Sequence, residues 1–195
     1  ALVIALVEVG VGSFVGAIWG YVKKVDTVML EVYNIVTNIP STVYLVLLSY
    51  IMKPSVFTIV FALASRGWIS EAKFMRNKIL TLRESEYNIA SKSLGTPLMR
   101  VVSRNILPHL ISLIIMEAAL TIPYSIGSEV FLGFIGLGLP QDMVTLGNMV
   151  NQGRANFMLY PSQMIFPSLV LCVITVSFYL LGTRFADASD PRNHV

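Results

Sequence analysis

EYNIASKSLGTPLMRVVSRNILPH, residues 86–109, is a polar and basic stretch inside a chain that is 55% hydrophobic. Its local signals are those of two helices separated by a sharp turn. Ser85 is placed to cap a helix opening at Glu86, whose negative charge suits a helix N-terminus. Tyr87, Ala90 and Leu94 then recur at i, i+3 and i+7 and form one narrow apolar stripe. Gly95 supplies a left-handed stop. Thr96 followed by Pro97 predicts a new start, with Thr as N-cap and Pro at the first helical position. The second helix runs through Arg100 and Arg104 to Pro108, where an apolar run begins. A helix of about nine residues is marginal alone in water. Its stripe, with the small Ala90 and Ser91 beside it, therefore needs a partner surface, either the chain's own bundle or a second subunit. Docking to a second subunit is the favoured expectation.

Working outward, the 195 residues carry only 13% charged side chains, and their mean hydropathy is +0.71. That is too apolar for an ordinary soluble domain and predicts an all-α polytopic membrane protein. A span needs about 20 apolar residues, because a helix rises about 1.5 Å per residue across roughly 30 Å of hydrocarbon. Five spans are expected, at about 1–19, 29–52, 54–70, 107–131 and 164–184, in a single transmembrane domain covering 1–195. The third is short and holds Arg66, whose guanidinium is expected to snorkel to the interface.

Eight of the fourteen Lys and Arg lie between Arg66 and Arg104. With the first span entering from outside, those eight together with Lys23, Lys24, Arg184 and Arg192 face the cytoplasm, leaving Lys53 and Arg154 outside. The loop 71–106 and the tail DASDPRNHV are then expected inside. Residues 133–162, rich in Gly and short of apolar periodicity, are expected as an ordered re-entrant or surface loop on the outer face.

Within the spans, Gly12, Gly16 and Gly20 lie four apart and clear one helix face for a neighbouring backbone. Pro40 and Pro123 fall inside spans and are expected to kink or break them. Glu8, Glu31, Glu117 and Glu129 lie in or near spans, where charge avoids lipid. Of these, Glu117 and Glu129, with Pro123, are the candidates for a substrate path. Cys172 sits alone in an apolar run, so neither a disulfide framework nor a thiolate metal site is expected. The opening ALVIALVEVGVG has the character of the interior of a longer protein with a helix upstream.

Taken in order, Glu86, Tyr87, Ala90, Leu94, Gly95, Arg100, Arg104, Ile106, Leu107 and Pro108 resemble the EAA loop of type I ABC importer permeases, in its peptide and nickel transporter form. GYVKKVD after the first span, FLGFIGLGLP leaving the fourth, LGNMVNQGR in the outer loop and LLGTRFADASDPR at the end extend the resemblance over almost the whole chain. These blocks are similar to the second permease of oligopeptide and dipeptide systems. Ile89, Ser91 and Asn105 depart from the general motif, and His109 and Asn105 from the branch.

The resemblance implies half of a translocation pathway for peptides in a bacterial or archaeal plasma membrane. It also implies a homologous second permease, two cytoplasmic ATP-binding subunits, an extracytoplasmic binding protein, and ATP and Mg held by the partners. Residues 86–95 would transmit the motion of those partners. Nickel or another small solute remains an alternative cargo.

The chain itself shows no G-x-x-x-x-G-K-[ST] phosphate cradle, no H-E-x-x-H and no G-x-S-x-G. No cofactor, metal or catalytic residue is therefore expected on it. Its basic residues carry no interleaved aromatic platform, so nucleic acid is not an expected partner. An intramembrane hydrolase and an ATP-independent channel or secondary transporter are the competing classes.

Overall fold

The computed structural model describes residues 1–53 and 55–189, with the backbone alone described at Leu98 and Ser189, and every regular element among them is helical. The first is α1 (Leu2–Tyr21), followed by α2 (Lys23–Asn38), α3 (Ser41–Met52) and α4 (Val56–Arg83). Then come α5 (Glu86–Ser93), the short α6 (Leu98–Arg100), a π-helical turn (Val101–Ile106) and α7 (Leu107–Phe134). The small α8 (Leu146–Ala155) and the long α9 (Ser162–Ser189) close the described chain.

The glycine stripe on α1 finds its partner in α4. A Cβ at Gly16 would stand 2.5 Å from the Ala72 carbonyl oxygen, and one at Gly12 would stand 2.6 Å from Glu71 Cβ. Gly20 meets Arg76 and Ile79 in the same way. Contacts that advance together along both helices mean that α1 and α4 run in the same direction. In lipid there is no hydrophobic gain from pairing apolar helices, so this close backbone approach is what holds them. Two apolar clusters fill the ends of the seam. Ala17, Met75, Ile79, Val101, Val102, Ile106 and Leu110 form one, and Ile4, Leu45, Ile59, Ala62, Leu63 and Leu132 the other. The first welds the π-helical turn and the start of α7 to α1 and α4.

Pro40 breaks its span, and α2 and α3 meet at 76°. Pro40 has no N–H and pushes Ile39 out of the α region, to φ −77° and ψ 123°. Pro123, by contrast, lies buried within an unbroken α7. Where α1 turns into α2, Arg76 of α4 grips Asp26 through one guanidinium edge, Nε to Oδ1 at 2.6 Å and Nη2 to Oδ2 at 2.7 Å. Trp19 Nε1 donates to the same carboxylate at 2.8 Å, and Lys73 lies over the Trp19 and Tyr33 rings. A bidentate, aromatic-flanked pair of this kind fixes orientation as well as supplying energy.

The reading of five spans changes here. Among the described residues three helical stretches are long and apolar enough to cross a bilayer: Leu2–Tyr21, Val101–Phe134 and Ser162–Ala188. They become four if the bent α2–α3 pair is one span. The expected third span is only the first part of α4, which continues through the polar residues of 71–83 rather than ending at 70. Arg66, Glu71, Lys73, Arg76, Lys78 and Arg83 make that helix too polar as a whole. Arg66 has a protein partner of its own. Its Nη2 donates to the Ile39 carbonyl at 2.5 Å, an oxygen left without a helical partner by the break at Pro40.

The segment 133–162 is ordered and contains α8, which packs on α7 and α9. Thr145 caps α8 by accepting the Asn148 N–H at 3.1 Å. α9 leaves Phe166, Val170, Val173, Val176 and Tyr179 exposed along its length. That is the surface of a helix facing lipid or another membrane subunit.

Candidate functional site

Residues 84–109 form a compact knob at the end of α4. Helix α5 begins at Glu86 as the sequence predicts, but Ser85 does not cap it through its side chain. The Ser85 hydroxyl donates instead to the Leu82 carbonyl at 2.6 Å and accepts from Asn88 Nδ2 at 3.1 Å. At the other end the stop is as expected. Gly95 has φ +74°, its N–H donates to the Lys92 carbonyl, and the Thr96 N–H donates to the Ser91 carbonyl. This pair of bonds is the Schellman closure, which needs a left-handed residue at the position of Gly95. The next helix starts at Leu98, so Pro97 precedes it, and the Pro97 carbonyl receives the N–H groups of Arg100 and Val101.

The chain then widens into the π-helical turn before α7. The Leu107 N–H reaches back to the Val102 carbonyl, a register one residue longer than an α-helix. Pro108, which has no N–H to give, sits where the α register resumes. Val101, Val102 and Ile106 are buried, whereas Arg100 and Arg104 are exposed.

One side chain pins α5 to this frame. Asn88 is 1% exposed, and its Nδ2 donates to the Leu82 carbonyl at 2.9 Å. Asn105 Nδ2 in turn donates to Asn88 Oδ1 at 3.3 Å and to Ser91 Oγ at 3.2 Å. The departures at Ser91 and Asn105 thus form one polar latch. The Tyr87 ring lies 6.0 Å from that of His109.

With Asn88 inward, the apolar stripe faces out. Tyr87 is 45% exposed and Leu94 86%, and Glu86 and Ala90 are exposed with them. The fold thus brings Glu86, Tyr87, Ala90, Ser91, Leu94 and Gly95 into one knob, stiffened by the turn at Thr96 and Pro97.

The three residues considered for a substrate path separate. Glu117 lines a cavity of about 440 Å³ together with Glu8, Arg66, Glu71 and Tyr124. Glu129 accepts from Thr145 Oγ1 at 2.9 Å and fits against Gly147, holding α8 by its N-terminus. Pro123 lines neither that cavity nor the smaller one beside Glu129. Glu31 is exposed on α2.

Sequence reasoning passed over Asn88 and Glu71. For Asn88 the available signal is a lone amide on the face opposite the apolar stripe. For Glu71 it is a mirrored spacing: Glu8 precedes Gly12 by four, and Gly67 precedes Glu71 by four. The structure interlocks them, the Glu8 carboxyl lying against Gly67 and the Glu71 side chain against Gly12. The expected inward tail lies outside the described residues from position 190 onward, Arg192 included.

With this geometry in place, comparison with known proteins gives consistent results. Residues 10–195 match the family described as binding-protein-dependent transport system inner membrane component. The oligopeptide transport system permease protein AmiD of Streptococcus pneumoniae (strain ATCC BAA-255 / R6) is 37% identical over 194 residues, 100% of this chain and 63% of the relative. The oligopeptide transport system permease protein OppC of Bacillus subtilis (strain 168) is 31% identical, over 91% of this chain and 60% of the relative. The dipeptide transport system permease protein DppC of Lactococcus lactis subsp. cremoris (strain MG1363) is 32% identical, over 98% of this chain and 56% of the relative. The chain thus spans about three fifths of the length of these curated relatives. An all-helical chain with apolar helices of spanning length, matched over 10–195 by one transport family, belongs to the binding-protein-dependent transport system inner membrane components.

Proposed function

We propose that the chain is the path-forming permease subunit of an ATP-driven importer of peptides, and that α5 is the handle by which separate ATP-binding subunits move it. The observation that carries this reading is the outward stripe. A short helix exposes Tyr87 and Leu94 while its buried contact with the rest of the chain is made by an amide, Asn88. Such a helix lacks an apolar reason to lie where it does unless another protein covers it.

In this reading α2 and α3 form one bent crossing, and α4 crosses with its polar face turned to the protein, giving five. The knob 84–109 and the adjoining end of α4, beyond its seam with α1, lie in the cytoplasm of a bacterial or archaeal cell. Two ATP-binding subunits, which hold the ATP and Mg, dock there. A homologous second permease covers the remaining membrane surface, and an extracytoplasmic binding protein delivers the solute. The peptide cargo follows the relatives, two of them oligopeptide permeases and one a dipeptide permease.

Motion passes by rigid contact. A shift of the docked subunits carries α5, the Asn88–Asn105 latch carries the π-helical turn, and the cluster around Ile79 and Val101 carries α4 and α7. The docked subunits must favour one of the two arrangements of the pathway for this to gate transport. Tyr87→Ala and Leu94→Asp are expected to reduce recovery of the ATP-binding subunits with the permease at least tenfold while membrane insertion is retained, about the loss of one well-buried contact residue. Wild-type recovery in both variants would leave the stripe without this role.

A further inference from the structure

The cavity between α1, α3, α4 and α7 has about 440 Å³, within the roughly 300–1,000 Å³ of small-molecule sites. Its wall carries Glu8, Glu71 and Glu117 against a single base, Arg66. Glu8 and Glu71 are 7% and 8% exposed, and Glu71 Oε1 has no hydrogen-bond partner. Arg66 is committed elsewhere, to the Ile39 carbonyl and the face of Tyr44. Among the described residues no ion pair joins it to the three acids.

A buried carboxylate oxygen without a donor is strongly unfavourable in a low dielectric. What the cavity lacks is positive charge with N–H donors attached. A metal ion is the poorer occupant, because no group of three or more His, Cys, Asp or Glu among the described residues is placed to hold one. An organic ammonium suits separated carboxylates better, since its donors diverge.

We propose that this cavity receives the ammonium end of the transported solute, the free N-terminus of a peptide, with Glu71 as the principal acceptor and Glu8 and Glu117 flanking it. The inference rests on the peptide-import reading above. The interlock of the Glu8 carboxyl with Gly67, and of Glu71 Cβ and Cγ with Gly12, positions the two acids before the cation arrives, so less ordering is left to do on binding.

The test uses the complete transporter with its binding protein, in proteoliposomes, and two probes: trialanine and N-acetyl-trialanine, which lacks the charge. With the binding protein unchanged and saturated, Glu71→Gln and Glu117→Gln are each expected to lower the uptake ratio of trialanine to N-acetyl-trialanine about tenfold, the scale of one charge-assisted hydrogen bond. A wild-type ratio in both assembled variants overturns the inference. A second measurement needs no variant. Modification of Glu71 in the wild-type complex by a hydrophobic carbodiimide is expected to slow with trialanine and not with its acetylated form, and equal protection by both overturns the inference. Failure of the wild-type complex to take up trialanine with ATP would instead remove the peptide-import reading, and this inference along with it.

Discussion

At the scale of single residues, Gly95 and Asn88 decide the shape of the knob. Gly95 sits at φ +74° with open space where a side chain would go, so the constraint on it is conformational and not steric crowding. A β-branched residue there costs about 1–2 kcal/mol by the left-handed penalty. Gly95→Val is therefore expected to leave the protein in the membrane but to loosen the turn between α5 and α6. ATP hydrolysis would continue while uptake falls several-fold, which parallel assays on the reconstituted transporter would read; unchanged uptake per ATP would contradict it. The glycine stop was legible in the sequence because φ > 0 has so few hosts. The fate of the Ser85 hydroxyl was not, since capping and back-bonding to Leu82 use the same residue type and differ only in the local geometry.

Among elements, the pairing of α1 with α4 is the firmest statement the structure makes. Gly12, Gly16 and Gly20 announced a close contact through their spacing alone, but a glycine stripe does not say which helix fills it. α4 fills it with the backbone of Trp68, Ala72 and Arg76. Gly16→Leu is expected to be among the most damaging single changes, because the added side chain meets the Ala72 carbonyl and Met75 Cβ, neither of which can yield without parting the helices. Overpacking of this kind costs roughly 1–3 kcal/mol or more. Limited proteolysis of membranes would read it as faster cleavage in the knob 84–109 that the seam supports, and wild-type resistance would refute it. The spans were less legible than the seam. Hydropathy sees the apolar start of α4 and stops at the first charges, although Arg76 is matched by Asp26 and Arg66 by a carbonyl only tertiary structure supplies. For Pro40 and Pro123 the sequence gives the same signal, and the surroundings decide which helix breaks.

For the whole molecule, the proposed topology assigns a side to each loop. If the knob is inward, Lys92 is shielded from an impermeant amine reagent applied to intact cells and reacts once the membrane is opened; labelling from outside would reverse the topology and the transport role with it. The candidate site was readable at its surface, where capping, stripe and turn are local, and unreadable in its interior, where Glu8, Glu71 and Glu117 converge from three helices. Finally, the bond from Arg66 to the Ile39 carbonyl ties the elbow between α2 and α3 to the shaft of α4. A bare carbonyl in hydrocarbon is costly, so the elbow cannot let go as the shaft tilts. In the proposed importer the two are geared: a push received at the knob end of α4 would flex the joint at Pro40, and the cavity that Ser41 and Arg66 both line would change width with every stroke.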